Sequence, residues 1–248
     1  MLKKERQAYI IQHLNIHNKL LSTDLCQKLN VSEDTVRRDL QELADEGRLI
    51  KVHGGALSNA FHFTLKNGQV YNASEKRTIA EKSAALIQNR MVVLLSGGTT
   101  IRELVKALPP VLQATFITPS IPIALELMEH PRCEVLFVGN KLNKEAQLAV
   151  GAEVTSKLST LKADLCFLGT NAIDVQAGIT DASWEIIEVK KAMIGAADKV
   201  VSTVISEKLA TVQPMQVCSI QQVDILVTEL EAQDERLKPY QDAGVQVL

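Results

Sequence analysis

Two short runs of this 248-residue sequence hold side chains whose types and spacing could do chemistry. The first is Ser32-Glu33-Asp34-Thr35-Val36-Arg37-Arg38-Asp39-Leu40. An arginine can grip a guanine edge through two hydrogen bonds or pair with a phosphate, and a helix that starts at a serine directs free N–H groups at a second phosphate. These are tools for recognising duplex DNA. A solvated helix face would use the same arginines differently, pairing them with Asp34 or Glu42 at helical spacing. The second run is Ser96-Gly97-Gly98-Thr99-Thr100. Glycines let a backbone approach a ligand, while exposed N–H groups and hydroxyls at a helix start favour a phosphate. The run also reads as a Gly-Gly turn with threonine caps, and no lysine follows it as in a P-loop.

The surrounding apolar pattern says which elements must hold these residues. Ile10, Ile11 and Leu14 predict a first helix from about Lys3 to His17, with Leu20 and Leu21 in the turn after it. Ser22 offers an N-cap for a short helix carrying Leu25, Cys26 and Leu29, which Asn30 ends in a left-handed conformation. Ser32 caps a third helix, in which Val36, Leu40 and Leu43 repeat at i, i+4, i+7 until Gly47. With those three facing a core, Thr35, Arg38 and Gln41 project elsewhere, and Arg37 sits about 100° around from Val36, within reach of a phosphate. Leu49 to Val52 then reads as a strand, and Gly54-Gly55 as the bend of a hairpin. The expectation is a winged helix-turn-helix domain over residues 1–58.

Residues 59–73 are polar, carry Gly68 and lack a clear period, which marks them as the linker. From residue 74 to 248 helical segments alternate with apolar runs: Met91 to Leu95, Ala114 to Thr118, Glu134 to Val138, Asp164 to Leu168, Val200 to Ile205 and Asp224 to Val227. Runs of that length, rich in Val, Ile and Leu, predict an α/β domain with a doubly wound, mostly parallel sheet covered on both faces. The Ser96–Thr100 run falls where the first of these strands ends and a helix through Leu108 begins.

Composition narrows the function classes. Hydrophobic residues at 46% and charged residues at 23% match a globular chain. The longest apolar runs are far short of the roughly 18 to 20 residues of a membrane helix, and Glu5, Arg6 and Gln7 interrupt any leader-like stretch, so a cytoplasmic protein is expected. Four widely spaced cysteines read as reduced thiols. The five histidines are dispersed, and no metal site, catalytic triad or cofactor is expected. Nine aromatic residues (five Phe, three Tyr, one Trp) argue against a stacking platform for single strands. The net charge of −2 divides into +1 for residues 1–58 and −3 for the rest, so charge placement rather than balance must decide for DNA.

The assembled motifs resemble the DeoR family of bacterial transcriptional regulators. The family's T-[VI]-R-R-D-L core reads Thr35-Val36-Arg37-Arg38-Asp39-Leu40, and its wing reads Gly47 through His53-Gly54-Gly55-Ala56. The resemblance implies DNA contacts by Thr35, Arg37, Arg38 and His53, with Lys51 standing where the family usually has an arginine. It also implies an effector domain like ribose-5-phosphate isomerase, in which a D-S-G-T-T loop receives a phosphorylated sugar. Here Ser96 occupies the position of that Asp, and the candidate effector residues are Ser96, Gly97, Gly98, Thr99, Thr100, Asn171 and Lys208. Asn72 with Glu75-Lys76-Arg77 resembles the family's N-x-x-E-K segment; Gly169-Thr170-Asn171, Gly178-Ile179-Thr180 and Glu188-Val189-Lys190 resemble its G-A-N, G-L-T and E-V-K stretches. The resemblance covers nearly the whole chain. It departs at Thr118-Pro119, Gly139-Asn140 and Ile205.

Asp181, Glu185, Lys190, Lys191 and Lys208 raise the alternative of an active sugar-phosphate isomerase, since proton transfer beside a carbonyl needs a carboxylate and a cation. The period around Lys190 and Lys191 instead places both on the solvated face of an amphipathic helix, and no carboxylate stands at Ile205. The expectation is therefore not an enzyme but a DNA-binding repressor of a carbohydrate catabolic operon. Its partners would be duplex operator DNA and a phosphorylated-sugar-like effector, and it would work as a homo-oligomer, a dimer or tetramer, away from membranes.

Overall fold

A computed structural model describes residues 1–17, 19–58 and 72–248, so the linker expected over 59–73 lies almost wholly outside the described residues. The chain divides into two units, Met1–Tyr71 and Asn72–Leu248.

The first unit runs α1 (Lys3–His17), β1 (Lys19–Leu21), α2 (Ser22–Leu29), α3 (Glu33–Asp45), β2 (Leu49–Val52) and β3 (Gly55–Ser58). Ile10, Ile11 and Leu14 of α1, Leu25 and Leu29 of α2, and Val36, Leu40 and Leu43 of α3 close one core with Leu49 and Ala56. Asn30 ends α2 at φ 51°, and Gly47 follows α3 at φ 70°. Leu20 and Leu21 are not in a turn. They form a third strand, and the wing is a three-stranded antiparallel sheet in the order β1-β3-β2. Gly55 permits this pairing, because a Cβ there would lie 2.0 Å from the Leu20 carbonyl oxygen.

The second unit continues with α4 (Ala73–Ala84), β4 (Val92–Leu95), α5 (Thr99–Lys106), β5 (Thr115–Thr118), α6 (Ile121–Met128), β6 (Glu134–Phe137), β7 (Lys141–Asn143), β8 (Leu148–Val150) and α7 (Ala152–Ser159). It closes with β9 (Ala163–Gly169), β10 (Ala172–Asp174), β11 (Gly178–Asp181), α8 (Trp184–Gly195), β12 (Ala197–Thr203), β13 (Met215–Cys218), β14 (Ile225–Val227), α9 (Lys238–Asp242) and β15 (Gln246–Val247). Seven strands form one parallel sheet in the order β15-β14-β12-β9-β4-β5-β6. Side chains alternate across it: Leu94, Ile117, Cys166 and Leu168 join a core with Val154 and Leu158 of α7 and Ile187 and Met193 of α8. Val93, Leu95, Phe116 and Phe167 are equally buried on the opposite face. α4 packs on α5 and α5 on α6, so the sheet is wound on both sides.

Two small antiparallel additions, β10-β11-β13 and the β7-β8 hairpin, interrupt the βα alternation. Strand order reverses between β4 and β9, neighbours that are far apart in the chain. Ligands of open α/β sheets bind outside the carboxyl ends of the strands at such a switch point.

Candidate functional site

In the first unit, α3 carries one buried face and one free face. Ser32 caps it, its Oγ accepting the Thr35 N–H at 3.3 Å and lying 2.9 Å from Thr35 Oγ1. Arg37 and Arg38 are 71% and 79% exposed, each beside Asp34 at 3.3 and 3.8 Å. Exposed pairs of this spacing are worth about 0.3–0.5 kcal/mol, little enough for a phosphate or base to displace. Thr35 and Gln41 line the same accessible side. Lys51 sits on β2, where its Nζ donates to Gln41 Oε1 at 2.9 Å, and so ties the wing to the recognition helix. His53 is exposed at the tip of the β2–β3 hairpin.

Asp39, in the middle of the R-R-D-L run, faces the other way. It is 2% exposed and takes a forked pair from Arg6 of α1, Nη2 to Oδ1 at 3.1 Å and Nε to Oδ2. The hydrogen bond to Asp39 raises the Arg6 pKa further. Arg6 therefore orients α3 from α1, a role that periodicity could not reveal because the two residues are 33 positions apart.

In the second unit the Ser96–Thr100 run leaves β4 at the switch point. The Ser96 N–H donates to the Phe167 carbonyl at 3.0 Å, and Ser96 Oγ accepts the Gly169 N–H at 2.8 Å. Ser96 is 2% exposed, so its hydroxyl bridges the two central strands rather than facing solvent. Gly169 must lack a side chain, because a Cβ would lie 2.5 Å from the Gly97 carbonyl oxygen. Gly98 adopts φ 119° with open space around it, and its carbonyl accepts the Arg102 N–H at 3.1 Å to begin α5. Among the described residues, the N–H groups of Gly98, Thr99 and Thr100 have no acceptor. They form the positive end of a helix aimed out of the sheet.

The neighbouring charge is unusual. Lys190 is not on the solvated face expected of it. It is 5% exposed, and its Nζ donates to Asp181 Oδ2 at 2.8 Å and the Gly169 carbonyl at 3.0 Å. Burial presses the Asp181 pKa upward, but Lys190 and two backbone N–H groups outweigh it and hold Asp181 ionised. Asn171 Nδ2 donates to the same Asp181 oxygen at 3.1 Å. Two further lysines are depressed: burial and then Lys208 bring Lys76 of α4 down to about 7, while burial and then Lys190 bring Lys208 down to about 8. Lys208 thus feels Lys190 and is felt by Lys76, while Glu103, Glu207 and Glu75 act the opposite way on Lys76, and Asp181 and Glu207 on Lys208. Sequence reasoning missed Lys76 as a site residue, for which the N-x-x-E-K segment was the available signal, and raised Asp181 for the isomerase alternative alone.

Of the residues raised for the isomerase alternative, Asp181, Lys190 and Lys208 come together here, whereas Glu185 and Lys191 make other pairs. Glu185 pairs with Lys141 at 2.7 Å and accepts from Asn143 at 3.1 Å, and Lys191 pairs with Glu188 at 3.4 Å on an exposed face.

Residues 6–61 match the DeoR-like helix-turn-helix domain and residues 71–230 the DeoR C terminal sensor domain. The chain is 30% identical over 250 residues to the HTH-type transcriptional regulator GolR of Listeria innocua, spanning 100% of this chain and 98% of that one. It is 33% identical over 232 residues to the HTH-type transcriptional repressor GlcR of Bacillus subtilis, spanning 92% and 89%. Among solved structures it is similar to ribose 5-phosphate isomerase A of Methanocaldococcus jannaschii, at 16% identity and a TM-score of 0.42 over 56% of this chain and 55% of that one. With its winged helix, its parallel-sheet sensor unit and matches that span both, the chain belongs to the DeoR family of DNA-binding transcriptional regulators.

Proposed function

We propose that this regulator is a cytoplasmic repressor of a carbohydrate catabolic operon, released or engaged by a phosphorylated sugar or a similar small anion, and that it does no catalysis. Thr35, Arg37 and Arg38 read the operator from α3, the N-terminus of α3 at Ser32 and the wing residue His53 hold the backbone, and Lys51 supports the helix through Gln41. The anion sits on the N–H groups of Gly98, Thr99 and Thr100, with Lys76 and Lys208 as counter-charges and Asn171 at the edge. The observation that carries this reading is the cluster of lysines near the switch point: burial and then Lys208 bring Lys76 down, and burial and then Lys190 bring Lys208 down. Groups held partly neutral in the empty site are recharged by an incoming anion. The naming of one relative as a repressor supports the sign of regulation.

The test is a mobility-shift titration on DNA from upstream of the chain's own gene, with and without a panel of pentose, hexose and hexosamine phosphates. Specific retention altered by one phosphate ester supports the reading. Turnover of any of these esters in a parallel assay would contradict the absence of catalysis.

A further inference from the structure

Lys76 and Lys208 reach the proposed anion site from elements far apart in the chain. Lys76 lies in the first turn of α4, whereas Lys208 ends a 3₁₀ turn, Ser206–Lys208, that follows β12. Lys208 lowers the Lys76 pKa, so the two ammonium groups repel. Ammonium groups on flexible four-carbon stems relieve such repulsion by swinging apart unless the backbones beneath them are held. The 3₁₀ turn has no local means of being held, because Ile205 occupies its N-cap and has no side-chain acceptor to offer.

The cap comes from the end of β14 instead. Glu229, two residues beyond that strand, takes the Ser206 N–H on both carboxylate oxygens at 3.0 Å, and its Oε2 also accepts the Thr228 hydroxyl at 2.9 Å. The carbonyls flanking Glu229 serve α4. Lys82, six residues along that helix from Lys76, donates through Nζ to the Thr228 carbonyl at 2.9 Å and the Leu230 carbonyl at 2.8 Å. Thr228 is fully buried, and its N–H donates to the Leu248 carbonyl at 3.1 Å, which fixes the segment to the sheet. Residues 228–230 therefore join the helix that carries Lys76 to the turn that carries Lys208.

We propose that Glu229 is a positioning residue of the anion site: it caps the Ser206–Lys208 turn, is tied to α4 through the carbonyls that Lys82 holds, and so keeps Lys208 and Lys76 placed to meet one phosphoryl group. A carboxylate beside an anion site would ordinarily repel the ligand. Here both oxygens of Glu229 are engaged by the Ser206 N–H, and one of them also by the Thr228 hydroxyl, so its charge is spent on the backbone of the turn. The inference rests on the anion reading above, and Glu229 acts on the anion only through the lysines.

Inorganic phosphate, titrated calorimetrically into the full chain at pH 7.5, reads the site without presupposing a sugar. Glu229→Ala should weaken its binding about tenfold or more, because a turn released from a charged hydrogen bond is competent to bind only part of the time. Glu229→Gln, whose side-chain carbonyl still accepts from Ser206, should stay within about threefold of the wild type. Carbon-13 NMR of the lysine ε-carbons gives a second readout. The resonance that disappears in Lys208→Met should titrate at about 8 in the wild type and move toward the ordinary 10.5 in Glu229→Ala, as the freed side chain reaches water. Phosphate binding unchanged in Glu229→Ala overturns the proposal. If that variant does not fold, unchanged binding in Lys82→Met, which keeps the aliphatic stem and removes the donor, overturns it equally. So do equal losses in Glu229→Ala and Glu229→Gln with Lys208 still titrating at about 8, the mark of a general loss of packing. Lys208→Met separates the two levels. Undiminished phosphate binding in that variant removes the anion reading and this inference with it, whereas a loss there beside an unaffected Glu229→Ala removes the positioning role alone.

Discussion

Anion binding at the switch point should carry protons into the protein. Lys76 has its pKa at about 7 and Lys208 at about 8, against an ordinary 10.5, in both cases chiefly because burial disfavours the ammonium. At pH 7.5 roughly a quarter of Lys76 and roughly three quarters of Lys208 are protonated. A phosphate ester lying against both favours the charged form of each, and completing both protonations takes up about one proton per ligand. The ester supplies almost none of it, since its second pKa of about 6 leaves it nearly a full dianion at that pH. Calorimetric titration at pH 7.5 in buffers of different ionisation enthalpy reads this number directly. Lys76→Met should reduce it to roughly a quarter of a proton, leaving only the Lys208 share. Binding without proton uptake in the wild-type chain, or uptake unchanged in Lys76→Met, would refute the assignment of these lysines. The empty protein should show the opposite dependence on pH. Because both folded-state values are depressed, the unfolded chain binds more protons between about pH 7 and 10.5, and stability rises with pH across that window while ligand affinity falls.

Three substitutions test the remaining geometry. Arg38→Ala should weaken operator binding by roughly 1–3 kcal/mol with little effect on non-specific DNA, as read by anisotropy on both; equal losses on the two would make Arg38 a phosphate contact instead. Asp39→Asn leaves the mostly buried Arg6 guanidinium without a carboxylate and should destabilise the first unit by roughly 2–4 kcal/mol in urea unfolding, whereas an unchanged midpoint would dismiss the brace between α1 and α3. Gly98→Leu forces a side chain into φ 119° and should abolish the anion response while operator affinity without ligand stays at wild type. A full response in that variant would remove the loop from the site.

Much of this was legible from the chain alone, and the parts that were not share a cause. Val36, Leu40 and Leu43 at helical spacing, capped by Ser32 and stopped by Gly47, fixed the recognition helix because its signals are local. The six apolar runs marked six of the seven strands of the large sheet for the same reason. Leu20 and Leu21 escaped because a three-residue strand has no period of its own; its partner, Gly55–Leu57, is more than thirty residues away. The two-residue β15, the β7-β8 hairpin and β10, β11 and β13 were missed as well, because none of them lies in an apolar run of about five residues like those that marked the other strands. Lys190 misled because a lysine on an amphipathic helix reads as solvated until Asp181, nine residues earlier, is seen to neutralise it. Ser96 was read as a ligand contact, but its hydroxyl is taken up by the Gly169 N–H, a partner 73 residues away.

Lys76 has a further significance through its address in the chain. It lies in the first turn of α4, five residues after the first unit ends at Tyr71, and Asn72 between them takes a left-handed conformation at φ 50°. A change of charge at Lys76 is therefore felt one helical turn from the covalent exit toward the DNA-reading unit. At the proposed site, the charge that an anion would draw out on Lys76 falls in the first turn of α4, directly after Asn72. One of the proposed charge-sensing side chains is thus rooted at the chain position where the second unit begins.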